Sequence, residues 1–220
     1  MYCDASVDED GALAAYHSPE LTSTDESYHV CHKGYVSIFP LLLGLLPPDS
    51  PHLGPLLDLL HDPEHVWSPY GIRSLSKQST FFGQGEKCVP RGARKVDALS
   101  YWRGPIWLPM NYMALQSLHN VRAHIIIEEL SSHSQIYAAQ PGPHQRRAQE
   151  IYDQLRQNVI SNVLKEYERT GYAWEQYNAL TGEGQRTKPY VAVLQGIRAK
   201  LRRFTGWTSL VTLIMAEQYL

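Results

Sequence analysis

The sequence predicts an all-α fold, with helices joined by long irregular loops. Three observations carry this. From Gln145 to about Arg169, apolar residues recur at Ala148, Ile151, Tyr152, Leu155, Val159, Val163 and Tyr167, close to the period of a helix with one buried face. From about Gly34 to Leu46 the chain is apolar almost all round, as a helix buried on most sides must be. No stretch of any length shows the apolar–polar alternation of a half-buried strand.

Taken in order, Met1 to Asp10 is short, polar and acidic, and its cluster Asp8-Glu9-Asp10 reads as solvated loop carboxylates. Pro47, Pro48 and Pro51 stop the Gly34–Leu46 helix, because proline lacks the amide that a helix interior needs. A second short helix is expected near Leu53 to His61, with leucines at helical spacing. Val66 to Gln84 is irregular and rich in Pro, Gly, Ser and Thr. It carries Arg73 and the aromatics Tyr70, Phe81 and Phe82, and long irregular loops in compact domains are commonly functional. Trp107 to Leu118 reads as a helix, with Ile106, Met110, Met113, Ala114 and Leu118 on the inner side. Pro143 near the start of the long Gln145 helix, and Gly171 after its end, fit the usual asymmetry of helix termini. A last helix is expected from about Trp207 to Tyr219.

Composition narrows the function classes. With 220 residues and 43% hydrophobic content, the chain can build one real core. A formal charge of −2 gives no footprint for nucleic acid or an anionic membrane, and neither is expected as a partner. No apolar run reaches the length of a membrane span, and no signal-like segment is seen. Three cysteines do not make a disulfide framework. Cys3 and Cys31 would pair in an oxidising lumen or else stay as free thiols, and Cys88 has no evident partner. No Cys/His spacing suits tetrahedral zinc, so neither metal nor cofactor is expected.

The chemistry-bearing stretch is Thr170-Gly171-Tyr172-Ala173-Trp174-Glu175-Gln176-Tyr177-Asn178. One carboxylate, Glu175, stands among three aromatic rings on a loop that follows a helix. Rings stack on the apolar faces of pyranoses and exclude water. A carboxylate among them can deprotonate the single water that attacks. Spacing alone leaves a second reading open, in which Glu175 is solvated and Trp174 packs on the core.

A resemblance separates the two. Trp174-Glu175-Gln176-Tyr177-Asn178, followed by Thr181-Gly182-Glu183-Gly184 and by Phe204-Thr205-Gly206-Trp207-Thr208-Ser209-Leu210-Val211, resembles the processing α-glucosidases of glycoside hydrolase family sixty-three. Tyr101-Trp102-Arg103-Gly104-Pro105-Ile106-Trp107 with Asn111-Tyr112 is similar to a second block of that family. Ser68-Pro69-Tyr70-Gly71-Ile72-Arg73-Ser74-Leu75 and His32-Lys33-Gly34-Tyr35-Val36-Ser37 are similar to two more, in the family's order. The match is to the C-terminal part of the family's catalytic domain. It implies an (α/α)6 toroid barrel, of which this chain would hold roughly the C-terminal half.

The resemblance also implies an activity. This is an inverting exo-α-glucosidase that removes the terminal α-1,2-linked glucose from the triglucosylated N-glycan precursor. The partner would be the glucosylated N-glycan on nascent glycoproteins, in the endoplasmic reticulum lumen, where the family's members are held by an N-terminal anchor that this chain lacks. Inversion needs a general acid and a general base roughly 6.5–9.5 Å apart. Glu175 matches the base. The family's acid is an Asp in an Asp-Tyr-Pro-Arg block, which does not occur here and by family order would precede Met1. The isolated chain is therefore expected to be inactive. Substrate contacts fall to Tyr101, Trp102, Arg103, Trp174, Tyr177 and Trp207, with Asn111 as a further candidate. Other readings are an α-glucosidase for small α-glucosides, a non-catalytic carbohydrate-binding or relic fragment, and a chain that does not fold alone.

Residues 1–220 thus read as one partial catalytic domain. Four stretches interrupt the family's pattern: approximately Gly11–Thr24, Lys87–Ser100, Val121–Ser134 and Pro189–Arg203. They are similar in length and unlike in sequence, as short introns translated in frame would be.

Overall fold

The computed structural model describes residues 32–84, 101–119, 142–185 and 206–219, together with the backbone of residues 4–7, 27–30, 191–194 and 197–200. In chain order the elements are β1 (Asp4–Val7), β2 (Ser27–Val30), α1 (Tyr35–Leu42), α2 (Leu53–Leu60), β3 (Trp67–Ser68), β4 (Gly71–Ile72), α3 (Leu108–Leu118), α4 (Gln145–Thr170), β5 (Gln176–Tyr177), β6 (Gly184–Gln185), β7 (Val191–Leu194), β8 (Ile197–Lys200) and α5 (Leu210–Met215). Among the described residues helices dominate, and the strands form two-stranded antiparallel pairs, β1–β2, β3–β4, β5–β6 and β7–β8. The predominance of helix agrees with the all-α expectation, and these short pairs are strands that no alternation announced. Two-residue ladders such as β3–β4 are too short to show alternation in a sequence. The cysteines, the three inserts before residue 135 and the tips of the fourth lie outside the described residues.

The long helix keeps its expected length. It runs Gln145–Thr170, and Gly171 closes it in the left-handed region at φ 72°, its amide donating to the Tyr167 carbonyl at 2.7 Å. The first helix ends earlier than the apolar run suggests. Gly44 adopts φ 60°, the Gly44 amide donates to Leu41 O at 3.0 Å, and the Leu45 amide donates to Pro40 O at 2.9 Å. This paired reversal stops α1 at Leu42, ahead of the three prolines expected to set its end. The last helix is also shorter than expected: a 3-10 turn over Trp207–Ser209 precedes α5.

Helix α3 is the hub, packing against α1, α4 and α5, while α1 also meets α2. The core draws Ile38 and Leu41 from α1, Leu57 and Leu60 from α2, Leu115 and Leu118 from α3, Ile151 and Leu155 from α4, and Ile214 from α5. Burying each such side chain contributes roughly 1.5–3 kcal/mol relative to exposure.

Along one side of this core the irregular segments are stitched by their backbones. Gly34 bridges Leu75, Arg73 bridges Ile106, and Ile106 bridges Tyr177. The Ile106 and Tyr177 amides each donate to the other's carbonyl, at 2.8 and 3.0 Å. The Ser74 amide donates to Pro105 O, and the Tyr35 amide to Ser74 O. The four sequence blocks therefore lie side by side as successive rungs.

Candidate active site

Buried polar side chains lock these rungs in register. The Tyr35 hydroxyl donates to Ile72 O at 2.9 Å and accepts from the Trp107 amide at 3.1 Å. Asn111 Oδ1 accepts from the Ile72 amide at 2.8 Å, and its Nδ2 donates to Trp107 O at 2.8 Å. Arg73 donates to Pro63 O and His65 O from the interior. Asn111 and Arg73 are therefore placed where they hold main chain. This satisfies buried carbonyls that would otherwise cost about 1–3 kcal/mol each.

On that frame sits Glu175. Its half-buried carboxylate accepts a hydrogen bond at Oε1 from the Tyr101 hydroxyl, 2.9 Å away. Its own carbonyl accepts from Trp207 Nε1 at 2.8 Å. The Thr208 hydroxyl donates to the Trp174 carbonyl, one residue earlier. Two segments far apart in sequence thus grip the loop on either side of the carboxylate.

Around Glu175 the rings form a platform. Trp102 stacks on Trp107 with centroids 4.5 Å apart and planes at 20°. Tyr101 meets Trp107 edge-on at 4.7 Å, and Trp207 tilts against Trp107 at 5.7 Å. Trp107 is buried and anchors the group, donating from Nε1 to Tyr101 O at 3.2 Å. Trp102 and Trp207 stay 48% and 36% exposed, so aromatic surface remains open beside the carboxylate. Sequence reasoning marks Trp107 as a helix start and as a member of the second block, and misses this anchoring role. Its place at the end of a Trp-rich block was the available signal.

Arg103 lies with its guanidinium carbon 5.0 Å from the centre of the Phe81 ring. With Trp102, His32, Ser74, Phe39 and Met110 it lines a cavity of about 360 Å³. Burial, and then the Arg103 charge, lowers the His32 pKa below its ordinary value. Neither Glu175 nor Tyr101 lines this cavity, so Trp102 is the wall shared by the two features.

The remaining two expected contacts lie inside the protein. Trp174 is 7% exposed, its indole resting on Gly184 so closely that a Cβ there would overlap the ring. Trp174 Nε1 donates to Thr170 Oγ1 at 3.1 Å. Tyr177 is fully buried, and burial pushes its hydroxyl pKa far above the ordinary value. The structure brings Tyr101, Trp102 and Trp207 to the surface around Glu175 and uses Trp174 and Tyr177 as its support. No cluster of metal-ligating side chains occurs among the described residues.

The chain is similar to known proteins of one family. Residues 1–217 match the family model described as the glycosyl hydrolase family 63 C-terminal domain. A probable mannosyl-oligosaccharide glucosidase of Schizosaccharomyces pombe is 44% identical over 99% of this chain and 20% of its own length. The mannosyl-oligosaccharide glucosidase of Arabidopsis thaliana is 40% identical over 86% of this chain and 18% of its own. That of Saccharomyces cerevisiae is 32% identical over 98% and 20%. A solved structure, the family 63 mannosylglycerate hydrolase of Thermus thermophilus in complex with Tris, aligns with TM-score 0.44 at 18% identity, covering 86% of this chain and 30% of that one. The chain spans about a fifth of the length of these curated relatives. On the family match and the identity to the glucosidases together, the chain belongs to glycosyl hydrolase family 63.

Proposed function

We propose that this chain is the segment of a processing α-glucosidase that carries the general base, Glu175, and part of the glucose-binding wall. The observation that supports it most is the Tyr101 hydroxyl, which donates to one Glu175 oxygen beside an open tryptophan platform. That bond fixes the carboxylate's orientation. The platform covers the apolar face of a pyranose and keeps bulk water away. A single water held at the carboxylate then loses its proton to Glu175 as its oxygen attacks the anomeric carbon, which gives inversion. Tyr101, Trp102, Arg103 and Trp207 contact the sugar, while Trp174 and Tyr177 hold the loop. The substrate is the terminal α-1,2-linked glucose of a triglucosylated N-glycan, in the endoplasmic reticulum lumen. Among the described residues no helix is long and apolar enough to cross a membrane.

An inverting reaction also needs an acid to protonate the leaving oxygen, and the family's Asp-Tyr-Pro-Arg block is absent from these 220 residues. The acid therefore comes from the other half of an (α/α)6 barrel that this chain completes. The four atypical stretches are read as retained introns. Sequencing the spliced transcript tests this, and a message keeping all four would refute it.

The activity test uses glucose release from the triglucosylated glycan. The purified chain should release none; measurable, Glu175-dependent release would overturn the need for an outside acid. A chimera in which this chain replaces the matched fifth of the S. pombe relative should be active. Glu175→Gln should then cost roughly 10²–10⁴ in rate. An unaffected rate would remove Glu175 from the mechanism.

A further inference from the structure

A second carboxylate lies under the Glu175 loop. Glu166, in the last turns of α4, is only 3% exposed. Both its oxygens are engaged. Arg169 Nε donates to Oε1 at 2.8 Å and Arg169 Nη2 to Oε2 at 2.8 Å, a bidentate pair within one helical turn. The Gly184 amide donates to Oε2 as well, also at 2.8 Å. The same residue's carbonyl accepts from the Thr170 hydroxyl at 2.6 Å, and Thr170 in turn accepts from Trp174 Nε1.

These contacts converge on the base. Gly184 is the β6 residue paired with Tyr177, and β5 begins at Gln176, directly after Glu175. Trp174, directly before Glu175, rests on Gly184 and hangs from Thr170. The Glu166 carboxylate therefore holds one flank of Glu175 through the hairpin amide, while its main-chain carbonyl holds the other through Thr170 and the indole. Such a charge-assisted bond to a backbone amide sets a position more firmly than apolar packing alone, because its geometry is directional.

We propose that Glu166, clamped by Arg169, is a positioning residue that sets where the Glu175 carboxylate meets the Tyr101 hydroxyl. It touches neither sugar nor water and acts through the loop. The inference rests on the reading of Glu175 as the base, so its first test avoids activity. In the full 220-residue chain, the side-chain carboxyl ¹³C signal of Glu175 is assigned by its loss in Glu175→Gln. Its shift is compared in wild type, Tyr101→Phe, Glu166→Gln and Arg169→Met.

Tyr101→Phe removes the hydroxyl and calibrates the response. Glu166→Gln, which keeps shape but gives Arg169 no anion, should move the Glu175 signal in the same direction. Arg169→Met should move it less, also in that direction. If Glu166→Gln fails to fold, the exposed Arg169 position decides alone. A Glu175 signal that stays at its wild-type position in the folded variants overturns the proposal. A merely structural Glu166 would lower the melting temperature and leave that signal in place. In the S. pombe chimera, Glu166→Gln should reduce kcat about ten- to a hundredfold with KM kept, as small misplacements of a catalytic group do. A raised KM with unchanged kcat overturns it. If instead Glu175→Gln proves harmless to glucose release, the functional reading falls while the measured coupling between the two carboxylates stands.

Discussion

Two carboxylates flank the end of α4, and they are treated in opposite ways. Glu166 is closed off, ion-paired to Arg169 and bonded to the Gly184 amide. These partners hold its pKa below the ordinary carboxylate value, first through Arg169 and then through the amide, against the cost of burial. Glu175 is half-buried beside open tryptophan surface and takes a neutral phenol as partner. A carboxylate saturated by cationic and amide donors is a poor base. A phenol hydroxyl fixes the direction of the carboxylate it donates to. The Tyr101 hydroxyl fixes the direction of Glu175, whereas Arg169 and the Gly184 amide tie Glu166 into the fold.

That contrast can be broken by exchanging losses. Glu175→Gln in the chimera should show the largest effect, the rate loss already stated, with stability changed by no more than about 0.5 kcal/mol in urea titration. A large loss of stability would make Glu175 a structural group like its neighbour. Glu166→Ala should behave in reverse, losing about 1–3 kcal/mol because Arg169 and the half-buried Gly184 amide lose their acceptor. Gly184→Ala attacks the same clamp from the other side. Its methyl would enter the Trp174 ring, and a loss of about 1–3 kcal/mol is expected from overpacking. An unchanged urea midpoint would show that the indole moves aside freely.

Smaller effects sharpen the comparison. Tyr101→Phe should lower kcat by about tenfold, the worth of one hydrogen bond to a charged group. The mildest signature is in acid. Glu166 binds its proton less readily folded than unfolded, so its stabilisation is complete above the unfolded carboxylate pKa, near 4.5, and fades as pH falls through the lower folded value. Urea midpoints measured from about pH 6 down to about pH 3 should fall more steeply in wild type than in Glu166→Gln. Parallel curves would remove Glu166 from the acid response.

The helices are legible because their periodicity is local. Gln145 through Gly171 reads straight from the sequence, down to the left-handed glycine that ends it. The end of α1 is less plain, because three prolines draw attention from Gly44, whose positive φ acts first. The loop's aromatic content is visible in the sequence, but which rings face out is not. Trp174 turns inward because Gly184, ten residues later, offers a surface with no side chain. Sequence spacing cannot show a contact closed by a hairpin. Glu166 escapes notice for a different reason. It falls on the buried stripe of α4 with Asn162 and Val163, where an apolar residue is expected. A charge on that stripe with an Arg three residues later is the signal that points to it.

The rungs that join Gly34 to Leu75, Arg73 to Ile106 and Ile106 to Tyr177 have a kinetic consequence. Each joins residues distant in the chain, so the site has high contact order while α4 and its cap are local. During synthesis α1 and α2 can form long before Tyr177 leaves the ribosome, but the strip that positions Glu175 cannot close until then. The Glu175 loop is consequently among the last parts to assemble. Until it does, the Ile106 amide and carbonyl that pair with Tyr177 stay unpaired, the form of surface on which nascent chains misassociate and chaperones act.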